Sequence, residues 1–131
     1  MRKTLLGAEN SLVAESISQL GSLFARQGRL AEAEALQREA LAMQKKLLGP
    51  ENIEVANSLN AIAGLCVQQG RFTEAELGYR ESLAIRKKLQ GEKHPAVAHT
   101  LNQLASVLLR QGRTVESETA VRESQIGRAH V

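Results

Sequence analysis

After Asn52 the apolar residues Val55, Leu59, Ile62, Ala63 and Cys66 recur at steps of three and four, which places them on one face of a helix. That pattern predicts a helix starting at Asn52, a good N-cap, and stopping at Gly70. A second pattern follows three residues later, with Ala75, Tyr79, Ser82, Leu83 and Ile85 in helical phase up to Gly91. Its start, Thr73-Glu74-Ala75-Glu76, has the spacing of a capping box, with Thr73 as the expected cap. The short Gln69-Gly70-Arg71 link makes the two helices antiparallel neighbours.

The whole pattern is repeated. Gly28, Gly70 and Gly112 lie 42 residues apart, as do Gly7, Gly49 and Gly91, and the same phase holds Val13, Val55 and Val97 and Leu20, Ile62 and Leu104. The stretches ARQGRLAEAE, VQQGRFTEAE and LRQGRTVESE mark the link in each copy. A period between 20 and 50 residues signals stacked units that bury their apolar faces only against one another. The chain is therefore expected to be all-α, an α-solenoid of antiparallel helix pairs. Residues 10–47, 52–89 and 94–125 form repeats 1, 2 and 3, the last truncated, within one solenoid over 1–125. His94-Pro95 marks the start of the third repeat, with proline in the first helical turn.

The repeat phase also bears on the ends. Met1-Arg2-Lys3 falls on Met43-Gln44-Lys45 and Ile85-Arg86-Lys87, so residues 1–9 are expected to be the end of an upstream repeat, and the chain a fragment of a larger protein. At the other end the phase calls for apolar residues at Gln125 and Gly127, and the helical register is expected to stop. IGRAHV is a translated frame of a common sequencing-library adapter, so 126–131 is expected to be a non-native tail.

Composition narrows the function classes. The chain has 131 residues, 43% apolar, with two Phe, one Tyr and no Trp; abundant Ala, Leu, Glu, Gln and Arg are helix formers. No apolar run is long enough to cross a bilayer and no leader-like segment is present, which makes a cytoplasmic location the expectation. The net charge of +3 could suggest nucleic acid. Most basic residues, however, sit at helix C-termini or in the repeated link, with Glu74 and Glu76 at one end of a helix and Arg86, Lys87 and Lys88 at the other. The three aromatics mostly fall at packing positions, leaving no stacking platform for bases.

Chemistry is sparse. Cys66 is the only cysteine and takes the helical position of Phe24 and Leu108, so it is expected to be buried, with a raised pKa. The chain has no aspartate, and His94 and His99 are five apart, not the four that align two metal ligands on a helix face. The expectation is a non-enzyme with no catalytic residues, cofactor or metal.

The order Leu59, Ile62, Ala63, Cys66, Ala75, Tyr79, Ser82, with small residues where helices cross, resembles a tetratricopeptide repeat. The 42-residue form, with GEKHPAVAHTLNQLA and GRFTEAELGYRESLAIRKKL, is similar to the repeats of kinesin light chains and related bacterial proteins. HEAT or armadillo arrays have similar periods, but the short link and the alanine-to-tyrosine spacing disfavour them. The resemblance implies a right-handed superhelix whose first helices line a concave groove.

In this chain the groove positions are Ser18 and Arg26, then Asn57, Asn60 and Gln68, then His99, Asn102 and Arg110, with Glu15, Ser22, Gly64 and Ser106 beside them. Asn60 and Asn102 match the asparagines that grip peptide backbone in the family, since an amide both donates and accepts; both are expected to be exposed. The implied function is a protein–protein interaction module holding an extended peptide. The alternative is a spacer or self-association segment of a larger signalling protein, and the truncated ends favour end-to-end association. Departures from the pattern are Gln37 and Val121 at the position of Tyr79, and Ser117 at that of Ala33 and Ala75.

Overall fold

The computed structural model describes the backbone of residues 2–129 and the side chains of residues 11–126. Six helices and no strands occur among the described residues: α1 Arg2–Arg26, α2 Leu30–Leu48, α3 Ile53–Gln68, α4 Phe72–Gln90, α5 Pro95–Arg110 and α6 Thr114–Ala129. They form three antiparallel pairs stacked in chain order. Within a pair the turn is built by glycine. Gly70 adopts φ +76°, a conformation that costs other residues a Cβ clash, and this lets Arg71 N–H donate to Cys66 O at 2.8 Å. Gly28 and Gly112 repeat the geometry.

Helix starts are set by two different devices. Asn52 Oδ1 accepts from Glu54 N–H at 2.8 Å and His94 Nδ1 from Ala96 N–H at 3.0 Å, with Pro95 in the first turn. Thr73 is not a cap. Helix α4 begins at Phe72 with Arg71 at the N-cap position and no side-chain capping bond. The glycine turn delivers the chain into the helix one residue early, so Thr73 is already inside it. Two boundaries also differ from the repeat phase: α1 runs unbroken through Gly7, and α6 continues past Gln125 to Ala129. Neither stretch contains a proline to stop a helix.

The core follows the stripe. Ile62, Ala63, Cys66, Tyr79 and Leu83 pack with Val97, Leu101, Leu104 and Leu108 across the second and third repeats; Val55, Ala56, Leu59 and Ile85 form a second cluster, and Leu41 reaches both. Burying one such Leu or Ile is worth about 1.5–3 kcal/mol. Close helix approach uses small residues: a Cβ on Gly78 would lie 3.1 Å from Ala63 Cβ. Cys66 is buried, and burial pushes its thiol pKa up, as expected.

Gln37 explains one departure from the pattern. It is 2% exposed where the second repeat has Tyr79, and it is held by α1: Ser18 Oγ donates to Gln37 Oε1 at 3.1 Å, and Gln37 Nε2 donates to Ser18 O at 3.0 Å. Gly21, whose added Cβ would meet Gln37 Nε2 at 3.1 Å, makes the room. Ser117 serves similarly, donating to Ala105 O at 2.8 Å.

Candidate functional site

Stacking puts α1, α3 and α5 side by side, so that one face of each contributes to a common polar surface. Asn60 Nδ2 on α3 donates to Gln103 Oε1 on α5 at 2.7 Å, which ties neighbouring first helices together. Asn60 Oδ1 is buried and finds no hydrogen-bond partner among the described residues. Asn60 also borders a cleft of about 220 Å³ between α1 and α3, shared with Ser22, Ala25, Gly64 and Gln68.

The remaining positions divide into engaged and free. Asn102 Oδ1 accepts from Ser124 Oγ at 3.0 Å, Asn57 Oδ1 accepts from Arg86 Nη2 at 2.8 Å, and Ser18 is bound to Gln37. Arg26, Gln68 and His99 are exposed. Arg110, also exposed, lies 5.7 Å from the centre of the Phe72 ring. Asn60 and Asn102 are half-buried rather than exposed, because helix pairing consumes one end of each amide. Glu15, Ser22 and Ser106 are exposed.

Sequence reasoning missed the partners supplied by the second helices. Arg86 was assigned to the charge of a helix end, yet it is 7% exposed and held by Ser82 Oγ at 3.2 Å and by Asn57. Burial without a carboxylate lowers its pKa. The signal was present in the column Gln37 and Gln44, Tyr79 and Arg86: polar or amphipathic residues seven apart, facing the first helix. Gln44 Oε1 accepts from Ser58 Oγ at 2.6 Å in the same way. Among the described residues no cluster of His, Cys, Asp or Glu could hold a metal ion, and no helix is long and apolar enough to cross a membrane.

Comparison with known proteins places this architecture. A tetratricopeptide repeat family model matches residues 12–88 and 68–125. Among solved structures, BtubC (BKLC) from P. vanneervenii superposes with a TM-score of 0.88 at 24% identity, over 93% of this chain and 48% of that one. The nearly identical TPR-like repeats of a Podosopora anserina protein, provisionally assigned as a kinesin light chain, give 0.79 at 22% identity, over 92% and 56%. The TPR domain of Arabidopsis FLU gives 0.78 at 18% identity, over 95% and 98%. This chain thus spans about half the length of the first two. No curated protein matches it.

Proposed function

Since the chain belongs to the tetratricopeptide repeat family, whose arrays are protein–protein interaction modules, we propose that its concave face holds an extended peptide segment of a partner by the peptide backbone. The observation that carries this reading is the unpaired Oδ1 of Asn60 beside an open cleft. A buried acceptor without a donor costs free energy, and a ligand N–H arriving beside Gly64 would remove that cost after a small turn of the amide. Asn102 Nδ2 offers the complementary donor on the next helix, and Gln68, His99, Arg26 and Arg110 form an exposed polar rim able to meet side chains or a carboxylate.

The test uses a ligand found in an unbiased peptide library, with affinity measured by calorimetry. Asn60→Ala and Asn102→Ala should each weaken binding by about 1–3 kcal/mol, the usual penalty for a buried group losing its partner. Asn60→Ala removes an unsatisfied buried acceptor along with one bond, so its melting should move little. Leu59→Ala, at an 8% exposed core position, should instead cost about 2–5 kcal/mol of stability and affect binding only through unfolding. Full affinity in the double asparagine variant would reject the groove reading.

A further inference from the structure

The corner where α2 ends and α3 begins opens toward α1 as a cleft of about 420 Å³, lined by Ser11, Glu15, Gln44, Leu48, Asn52 and Glu54. Nearby Glu51 is paired with Lys88 at 2.5 Å. Glu15 and Glu54 are both exposed, and neither makes an ion pair among the described residues. Gln44 is different in kind: it is 5% exposed and reaches the cleft from below. Its Oε1 accepts from Ser58 Oγ at 2.6 Å, and its Nε2 makes no hydrogen bond among the described residues. The cleft therefore offers two negative charges at its rim and an unpaired amide donor on a buried side chain.

The second seam does not repeat this corner. One period on, Asn57 stands for Glu15, Arg86 for Gln44, His94 for Asn52 and Ala96 for Glu54. Arg86 is 7% exposed and donates to Asn57 Oδ1 at 2.8 Å, so a cation fills the place of the free amide. The corner changes sign between seams. Helix ends do not decide the matter, because the negative end of α2 and the positive start of α3, capped by Asn52, border the same cleft and their dipoles oppose each other. The side chains decide it.

We infer that the first seam is a cation subsite of the groove: Glu15 and Glu54 take the lysine or arginine side chain of the extended peptide, and Gln44 Nε2 donates to a carbonyl oxygen of that ligand. A basic residue in a peptide supplies both groups at once, a positive charge and a neighbouring backbone acceptor. This inference rests on the groove holding a peptide, and it gives the bound segment a direction, since Arg86 repels a basic side chain at the second seam. Glu15 and Ser22, the latter beside Asn60, lie two turns apart on α1, about 10 Å. That is the span of about three residues of extended chain.

A displayed library of random peptides is selected against the full chain and against its Glu15→Gln, Glu54→Gln double variant. The parent should enrich peptides with Lys or Arg at one fixed position, and the variant should enrich peptides without that preference. A lysine-bearing peptide from the parent selection then goes into calorimetry. Replacing its lysine by glutamine should weaken binding to the parent by about tenfold and leave binding to the double variant unchanged, the coupling expected of a close charge pair. Glu15→Lys with Glu54→Lys should turn the preference toward a glutamate at that position. Helix content should be the same in all variants, both sites being exposed. Selected peptides with no basic preference, or an equal loss on parent and double variant, would overturn the cation subsite and leave the groove reading standing. Selection of no peptide by either chain would overturn both. Calcium or magnesium ion alone binding at the two glutamates and displacing the peptide would make the corner a metal site and overturn the inference.

Discussion

At the scale of single residues the most consequential side chains are Glu34 and Glu76, each of which reaches an arginine of the next repeat. Glu34 is 12% exposed and reaches Arg71 of the next repeat at 2.6 Å and Arg38 at 2.8 Å. Hydrogen bonding from Arg71 is the main reason its carboxyl is held below the usual range, with Arg38 and Gln69 assisting. For Glu76 burial pushes upward, but hydrogen bonds from Arg80 and Arg113 outweigh it and the pKa is again lowered. A carboxyl whose folded pKa is depressed stabilises the fold above its unfolded value, and that contribution is lost as pH falls through the folded value. Denaturant titrations should therefore show Glu34→Gln costing about 1 kcal/mol at neutral pH, near the upper end for a partly exposed pair. The gap between variant and parent should close as the pH falls through the depressed folded pKa of Glu34. A gap independent of pH would mean that Glu34 acts by packing rather than charge. Its role was hidden in the sequence because Arg71 lies 37 residues away and only stacking of repeats brings the two together. Cys66, by contrast, was readable, since one column of the repeat states its environment.

At the scale of helices the repeat made number, type and pairing legible, because period and apolar phase are properties of the chain itself. The ends were legible where a side chain makes the cap, as at Asn52 and His94, and not where backbone does. Thr73 has the residue type of a cap, but Gly70 at φ +76° and the Arg71 N–H bond to Cys66 O at 2.8 Å already fix where α4 begins. Thermal melts should separate the two devices. Asn52→Ala should cost about 1 kcal/mol, the usual value of a lost N-cap, whereas Thr73→Ala, at an exposed site with no capping bond, should stay within about 0.5 kcal/mol. Equal losses would restore Thr73 as a cap. That Asn57, Asn60 and Asn102 lie along neighbouring first helices was legible from the repeat phase. Which ends of their amides remain free was not, because that depends on Gln103, Arg86 and Ser124 arriving from other helices.

At the scale of the molecule, stability in such an array is a sum of repeat and seam contributions rather than a property of one core. The middle repeat is covered on both sides: Val55, Ala56, Ala63 and Ala75 are all 0% exposed. Among the described residues helix α1 has a neighbour on only one side, and Val13, Leu20 and Leu23 are 42–48% exposed where their counterparts are buried. Local opening should follow this gradient, since regions with few buried apolar contacts open at lower free energy. Hydrogen exchange followed by mass spectrometry should therefore find the amides of residues 11–26 exchanging faster than those of α3 by about tenfold or more, a gap of at least ~1.4 kcal/mol in opening free energy. Identical protection of α1 and α3 would show that the three repeats open as one unit and that the exposed face of α1 costs the array nothing.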